Sequence, residues 1–447
     1  MTPRQLPSDA PAGSAASPPR PGPAARPRPR PRIIVPSRPL IDEPAGIVIS
    51  GCAPGRPVTV TASALIDGSV YEATATFTAD GTGVVDTARH ASTAGSYTGT
   101  DPFGLWWSAT PVAPAAHAAA PPGPVTSRLR AETARDPITA EYQRHWLAPG
   151  ATVTEVGEPG VRGIFARPAG PGPFSGVVAF AGSGGGLGPA AAWAPALASR
   201  GLATLAIAYF GGPGLPSALA GIEVEVVERA ARWLLRRDEV ASGTVGVMGV
   251  SRGSELALWA GALLKEIGAV VAFAPSGVSW SALDASGPVD APAWTFAGQP
   301  LPYVAIGAPA KAARAPAAGP VALRAAFEPM LADPRLFEHA VIPVENIRGP
   351  VLFVSGEDDA MWPSAPLTRI AERRARDRGF PYPVVHLCYR DGGHICAGVP
   401  GTPVVTEVRN HPLTGGRYSF GGTRAGNARA RADSWPRVVA FLRDALG

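Results

Sequence analysis

TVGVMGVSRGSELALWAGALLKE, residues 244–266, is where the architecture of this chain declares itself. Residues 244–250 are an apolar run of strand length, which suits a strand covered on both faces. Residues 252–266 then read as a helix. At the junction, Gly249-Val250-Ser251-Arg252-Gly253 fits G-x-S-x-G. That pattern is short and common by chance, so its context matters. A serine between a buried strand and a helix, flanked by glycines that permit a sharp turn, is presented above the sheet edge at a helix N-terminus. The bland alternative is a glycine-rich strand–helix turn with no reactivity.

Working outward, the same rhythm recurs. Segments 161–167 and 176–181 read as strands, as do 203–208, 269–274, 350–355 and 383–389. Helices are expected at about 216–237 and 364–378, with a C-terminal helix ending near Leu446. In helix 216–237, Ile222, Val226, Ala230, Trp233 and Leu234 recur at helical spacing and read as core. Apolar strands alternating with amphipathic helices imply a mostly parallel, doubly wound sheet covered on both faces. A long Pro-rich stretch, 278–345, interrupts the rhythm and is expected to be a cap or lid.

The N-terminal part differs. Segments 47–53, 57–66, 70–78, 104–110, 124–132 and 138–147 are rich in Val, Ile, Thr and aromatics. Asp67-Gly68 and Asp80-Gly81 mark turns between strands. Short strands with frequent turns imply an all-β sandwich, with residues 113–123 as a loop in it. Nothing there reads as a cofactor site. Residues 1–32 are Pro, Ala, Ser and Arg and end in PRPRPRPR, so neither helix nor sheet is expected. The expected division is a disordered tail over 1–36, a β-sandwich over 37–148 and a catalytic domain over 149–447.

The net charge of +5 hints at a nucleic-acid partner, but six arginines and one aspartate in residues 1–32 supply the whole excess. The body from residue 33 is formally neutral, so no nucleic-acid partner is expected. No run of about 18 uninterrupted apolar residues occurs, so no membrane span is expected. The tail has no apolar core of a secretory signal. Three cysteines, Cys52, Cys388 and Cys396, lack metal-ligand spacing, and neither a metal nor a disulfide framework is expected. Cys396, two residues from His394, reads as a small buried hydrophobe.

A serine hydroxyl needs a base. Downstream, Gly356-Glu357-Asp358-Asp359 follows strand 350–355, at the strand end where catalytic groups of open α/β sheets collect. His394, in Asp391-Gly392-Gly393-His394, follows the next strand by a glycine turn. His339 falls in an expected helix, His386 in mid-strand and His411 in a terminal loop, which leaves His394 as the base. Asp358 and Asp359 both remain candidates for the orienting acid; spacing favours Asp359. Gly182-Ser183-Gly184-Gly185-Gly186-Leu187-Gly188, after strand 176–181, can offer a backbone N–H from Ser183 or Gly184 to an oxyanion. The second donor would be the N–H of Arg252. The loop lacks the Lys-Ser/Thr ending of a phosphate loop, and no acid is placed to hold a ribose, so no organic cofactor is expected.

These residues resemble the acyl-CoA thioester hydrolase and bile acid-CoA:amino acid N-acyltransferase family over about 37–447. The resemblance rests on Pro39-Leu40-Ile41-Asp42-Glu43-Pro44-Ala45-Gly46-Ile47, Ala53-Pro54-Gly55, Pro102-Phe103-Gly104-Leu105-Trp106, GSGGGL (182–187), GVSRGSE (249–255), IPVENIRGPVLFVSGEDDAMW (342–362) and GGH (392–394), in that order. It implies an immunoglobulin-like domain before an α/β-hydrolase domain, and the triad Ser251, Asp359 and His394. It also implies acyl-CoA as the substrate, hydrolysed to free acid and CoA or passed to an amine. Transferase members typically carry cysteine in the elbow, so Ser251 favours hydrolysis. Arg252 and Ser254 depart from a frequent lysine and glycine, and 304–325, expected to line the acyl pocket, departs from animal members. Ala445-Leu446-Gly447 is not a peroxisomal address, and two lysines against 38 arginines suggest a GC-rich genome. A bacterial cytoplasmic member is the expectation. A general serine carboxylesterase, or a non-catalytic binding protein on the same scaffold, is the alternative.

Overall fold

The computed structural model describes residues 30–44, 46–66, 68–113, 123–306 and 319–447. Eight strands form the large sheet: β1 (Thr152–Glu158), β2 (Val161–Arg167), β3 (Gly176–Phe180), β4 (Ala203–Ile207), β5 (Val245–Val250), β6 (Ile267–Phe273), β7 (Val351–Gly356) and β8 (Val384–Tyr389). Their order across the sheet is β1-β2-β4-β3-β5-β6-β7-β8. β2 runs antiparallel to both neighbours, and every other adjoining pair is parallel. The sheet thus departs from the expected parallel one at the β1–β2–β4 edge. Among the described residues, antiparallel pairings are the majority, because the strand pairs of the N-terminal sheets described there are all antiparallel. This is an α/β-hydrolase-like fold.

The central strands have apolar residues on both faces because both faces are covered. Five helices matter to the site: α1 (Ala190–Ala198), α2 (Glu225–Leu235), α3 (Arg252–Leu263), α4 (Ser364–Asp377) and α5 (Arg424–Leu446). Val177 and Ala179 of β3 pack with α1, α5 and the N-terminal sheets. Val178 and Phe180, one residue on, face the opposite core with α2, α3 and α4. This is the period-two alternation of a strand, hidden in the sequence because both sets are apolar.

Several elements differ from expectation. Helix α2 begins at Glu225 rather than 216, because Gly221 takes φ +61° and Ile222–Glu223 pairs in parallel with Trp294–Thr295. Helix α1 was not anticipated: seven of its nine residues are buried, so it has no polar face to give a periodic signal. Residues 104–107 form one helical turn instead of a strand. The tail expected to run to residue 36 ends earlier, since Arg32–Ile34 pairs antiparallel with Val48–Ser50.

The N-terminal strands form a six-stranded antiparallel sheet and a three-stranded one. These unequal sheets are not the immunoglobulin-like sandwich that the resemblance implied. Pro57–Ile66 and Ser69–Thr78 form the anticipated hairpin, with Gly68 at φ +73°; Asp67 lies outside the described residues, as do 114–122 of the expected loop. Asp80 closes the next turn by accepting the N–H groups of Thr82 and Val84. Buried polar contacts tie these sheets to the rest. Asp42 accepts Arg200 Nη2 at 2.6 Å and Trp435 Nε1 at 3.0 Å, and buried Arg144 donates to the Gly401 carbonyl at 2.8 Å.

The stretch 278–345 is structured where described. It holds a hairpin, Ser281–Asp284 with Gly287–Pro292, then short strands and single helical turns. It has its own apolar cluster, in which Val278, Trp280, Ile306, Phe327 and Phe337 pack against Trp362 and Leu367. Residues 307–318 lie outside the described part.

Candidate active site

Ser251 sits between β5 and α3 with φ 56° and ψ −124°. A non-glycine residue at positive φ stores on the order of 1–3 kcal/mol of strain. Surrounding contacts hold it there: its N–H donates to the Phe273 carbonyl at 2.9 Å, and its carbonyl accepts the Ser254 N–H at 2.8 Å. The flanking glycines are required by space. A Cβ on Gly249 would run into the Gly253 carbonyl, and one on Gly253 into the Ala181 carbonyl.

Asp359 and His394 meet beside this turn. The fully buried Asp359 carboxylate lies 2.9 and 3.1 Å from His394 Nδ1. It also accepts the N–H of Met361 at 2.9 Å and of Trp362 at 3.3 Å. These donors fix the carboxylate, and the carboxylate fixes the ring, with Nδ1–H toward it and Nε2 away. Asp358 is exposed, and its backbone spans the neighbouring turns instead. The His394 ring stacks on Phe420 and meets Trp362 edge-on. Glycines let these turns close: a Cβ on Gly356 would strike the Gly392 carbonyl, and one on Gly393 the Gly421 carbonyl.

The glycine loop after β3 approaches the same point. A Cβ on Gly182 would lie 3.0 Å from the Ser251 Cβ and 3.6 Å from the Arg252 nitrogen. The N–H groups of Gly185 and Gly186 are taken by the Gly182 and Phe210 carbonyls. Ser183 and Arg252 line the cavity beside Ser251, whereas Gly184 is packed toward Pro412.

Beneath the turn lies a buried ion pair. Arg252 Nη1 is 2.8 Å from Glu255 Oε1, without the alignment of a hydrogen bond. Arg252 Nη2 donates to the carbonyls of Trp280 and Ser281, and Glu255 accepts Trp294 Nε1 and the Trp280 N–H. Burial pushes the Glu255 carboxyl up to about 7, against the opposing pull of Arg252 and of the Trp294 and Trp280 donors. Burial likewise lowers the Arg252 guanidinium from its ordinary range, with Glu255 opposing. The pair thereby joins the N-terminus of α3 to the 280–281 backbone.

Ser251, His394, Ser183 and Arg252 share one cavity of about 80 Å³. Its other walls are mostly apolar: Leu283, Pro288, Ile306, Leu323, Phe327 and Trp362. His411, Thr414 and Tyr418 also line it, with Gly287 and Met361. The sequence sets His411 in a terminal loop with no motif around it; the fold brings that loop over the glycine loop. His411 Nε2 lies 3.1 Å from Ser183 Oγ. Burial, helped by the charge of His394, pulls His411 down to about 4. His386 instead packs between Ser355 and Glu372, and His339 bonds the Tyr303 carbonyl. Cys396 is fully buried, which raises its thiol well above the ordinary range. Among the described residues no cluster of His, Cys, Asp and Glu could hold a metal ion, and no helix is long and apolar enough to cross a membrane.

Comparison with known proteins identifies this arrangement. Residues 222–447 match the family model described as BAAT / acyl-CoA thioester hydrolase C terminal, and residues 42–158 match that of the acyl-CoA thioester hydrolase/BAAT N-terminal region. The chain belongs to the acyl-CoA thioester hydrolase/BAAT family. Within it, the chain is 30% identical to acyl-coenzyme A thioesterase 1 of Homo sapiens over 415 residues, 91% of this chain and 94% of that one. It is also 30% identical to the mitochondrial acyl-coenzyme A thioesterase 2 of Homo sapiens, over 91% and 82% of the two chains. The peroxisomal succinyl-coenzyme A thioesterase of Mus musculus is similar at 30%, over 91% and 94%. Among solved structures, a dienelactone hydrolase-like promiscuous phosphotriesterase from metagenomic libraries aligns with a TM-score of 0.40 at 17% identity. It covers 67% of this chain and 100% of that one, a likeness too slight to carry an argument.

Proposed function

We propose that this family member is an acyl-CoA thioesterase working through an acyl-Ser251 enzyme. The reading is carried by the buried contact of Asp359 with His394 Nδ1, on a ring that shares its cavity with the serine of a strained strand–helix turn. The relatives named as acyl-coenzyme A thioesterases support it over nearly the whole chain.

In this mechanism His394 Nε2 takes the Ser251 proton as Oγ attacks the thioester carbonyl. Asp359 keeps the ring in the required tautomer and stabilises its charged form. The N–H groups of Arg252 and Ser183 receive the developing oxyanion. The C–S bond breaks, and His394 returns the proton to the departing CoA sulfur. His394 then deprotonates a water that attacks the ester, releasing the acid and restoring Ser251. The apolar walls Leu283, Pro288, Ile306, Leu323 and Phe327 suit an apolar acyl group. We assign the antiparallel sheets up to about residue 148 and the catalytic part, 149–447, as separate domains, with 278–345 as the cap of the second.

The test is thiol release from short, medium, long and branched acyl-CoAs, with and without glycine or taurine, comparing wild type with Ser251→Ala. Wild type should release thiol independently of amine, and the variant should lose at least about 10³-fold in kcat. An amine-dependent product would make the chain a transferase. No release from any acyl-CoA by folded wild type would overturn the thioesterase reading.

A further inference from the structure

One buried side chain in the cavity has no part in the mechanism above. His411 is 9% exposed, lies edge-on to Tyr418, and reaches Ser183 Oγ with Nε2 at 3.1 Å. Its tautomer follows from its loop. The His411 N–H donates to the Gly416 carbonyl and its carbonyl accepts the Gly415 N–H, a tight turn that brings the Thr414 N–H to Nδ1 at 3.4 Å. A neutral imidazole that accepts at Nδ1 carries its proton on Nε2. Nε2–H therefore donates to Ser183 Oγ, and the hydroxyl proton is free to turn away from the ring. A neutral ring also suits its position, since a second cation here would oppose the charge that His394 acquires when it takes the Ser251 proton.

Ser183 stands where that proton is useful. It follows Gly182, which packs against Ser251 and the Arg252 nitrogen, and both Ser183 and His411 line the cavity holding Ser251 and His394. We propose that the Ser183 hydroxyl is a donor to the oxyanion in addition to the backbone N–H groups, and that His411 is the positioning residue that aims it. The proposal rests on the acyl-serine reading above. In it, His411 never exchanges a proton with substrate; it fixes the direction of one that Ser183 donates.

The experiment compares Ser183→Ala, Ser183→Thr, His411→Leu, His411→Gln and the double variant Ser183→Ala/His411→Leu. kcat and KM are measured on the acyl-CoA that wild type hydrolyses fastest, and on p-nitrophenyl butyrate. Removing one oxyanion donor costs on the order of 10²-fold in kcat, and S183A and H411L should each approach that with KM nearly unchanged. The double variant should be no worse than the worse single one, because both act through one hydroxyl. S183T should recover much of the loss, as should H411Q, whose amide can still donate. An unaffected S183A would overturn the proposal, as would losses that multiply in the double variant, which would leave His411 a structural tie between two loops. If H411L fails to fold, S183A and S183T decide the matter. If wild type releases no thiol from any acyl-CoA, the thioesterase reading fails while the ester still tests Ser183 and His411.

Discussion

The floor and the roof of the cavity are built on different principles. The floor is made of turns at the C-terminal ends of β3, β5, β7 and β8, each closed by glycines whose Cβ atoms would meet backbone carbonyls. Its geometry is imposed by backbone, so the residue choices are narrow. The roof comes from 278–345, where short strands and single turns are held by aromatic packing, with Phe327 between Trp280 and Trp362. Its shape is set by side-chain volume, for which many solutions exist. On the proposed reading, chemistry on the floor and acyl selectivity on the roof can change independently. The Arg252–Glu255 pair, with Arg252 bonded to the Trp280 and Ser281 carbonyls, is a buried polar link between the two.

The largest effect should come from the floor. Asp359→Asn removes the acceptor for His394 Nδ1–H and should lower kcat on the order of 10⁴-fold. Asp358→Asn, on an exposed side chain one residue away, should leave kcat within about twofold, as is usual for a substitution remote from the chemistry. Equal losses in steady-state assays of the two would break the assignment of the acid.

Next comes the roof. Phe327→Ala removes a buried ring and should cost about 3–5 kcal/mol in denaturant unfolding. The same variant should shift acyl preference toward bulkier chains while Ser251 still reacts with a fluorophosphonate probe. Lost labelling in a folded F327A variant would mean that roof and floor are not separable.

The smallest effect concerns the link. Glu255 is raised from 4.5 to about 7, so over that range the folded chain holds a proton that the unfolded chain has released. Its contribution to stability is thus present at low pH and is lost as pH rises through about 7. Replacing it with glutamine should remove this dependence. Melting temperatures of wild type and Glu255→Gln should diverge in favour of the variant from about pH 5 to about pH 8. Parallel curves would show that Arg252 keeps Glu255 charged throughout.

Local chemistry made the floor readable. The turns at Ser251, His394 and the 182–188 loop announced themselves because glycine at a forced turn is a sequence-local requirement. Spacing and the family resemblance favoured Asp359 over Asp358; the fold adds that Asp359 is buried against His394 while Asp358 is exposed, since adjacent residues at a turn point in unrelated directions. The start of α2 was misjudged because 216–224 carry helix-compatible residues that Gly221 and pairing with Trp294–Thr295 redirect. The largely buried α1 carried no amphipathic signal, and the N-terminal strands that were legible, such as 57–66 and 69–78, gave no hint of sheets of six and three.

Sequence alone therefore determined the alternation of buried strands and helices, the strand–helix turn at Ser251 and the family to which the chain belongs. Those features depend on contacts between residues close in the chain, or on motifs whose order is itself specific. Tertiary structure decided the reversed β2 strand, the contact of Asp359 rather than Asp358 with His394, the composition of the roof and the meeting of His411 with Ser183, 228 residues apart. Each depends on which surfaces pack together, and packing selects among side chains by volume and hydrogen-bond reach that a linear pattern does not record.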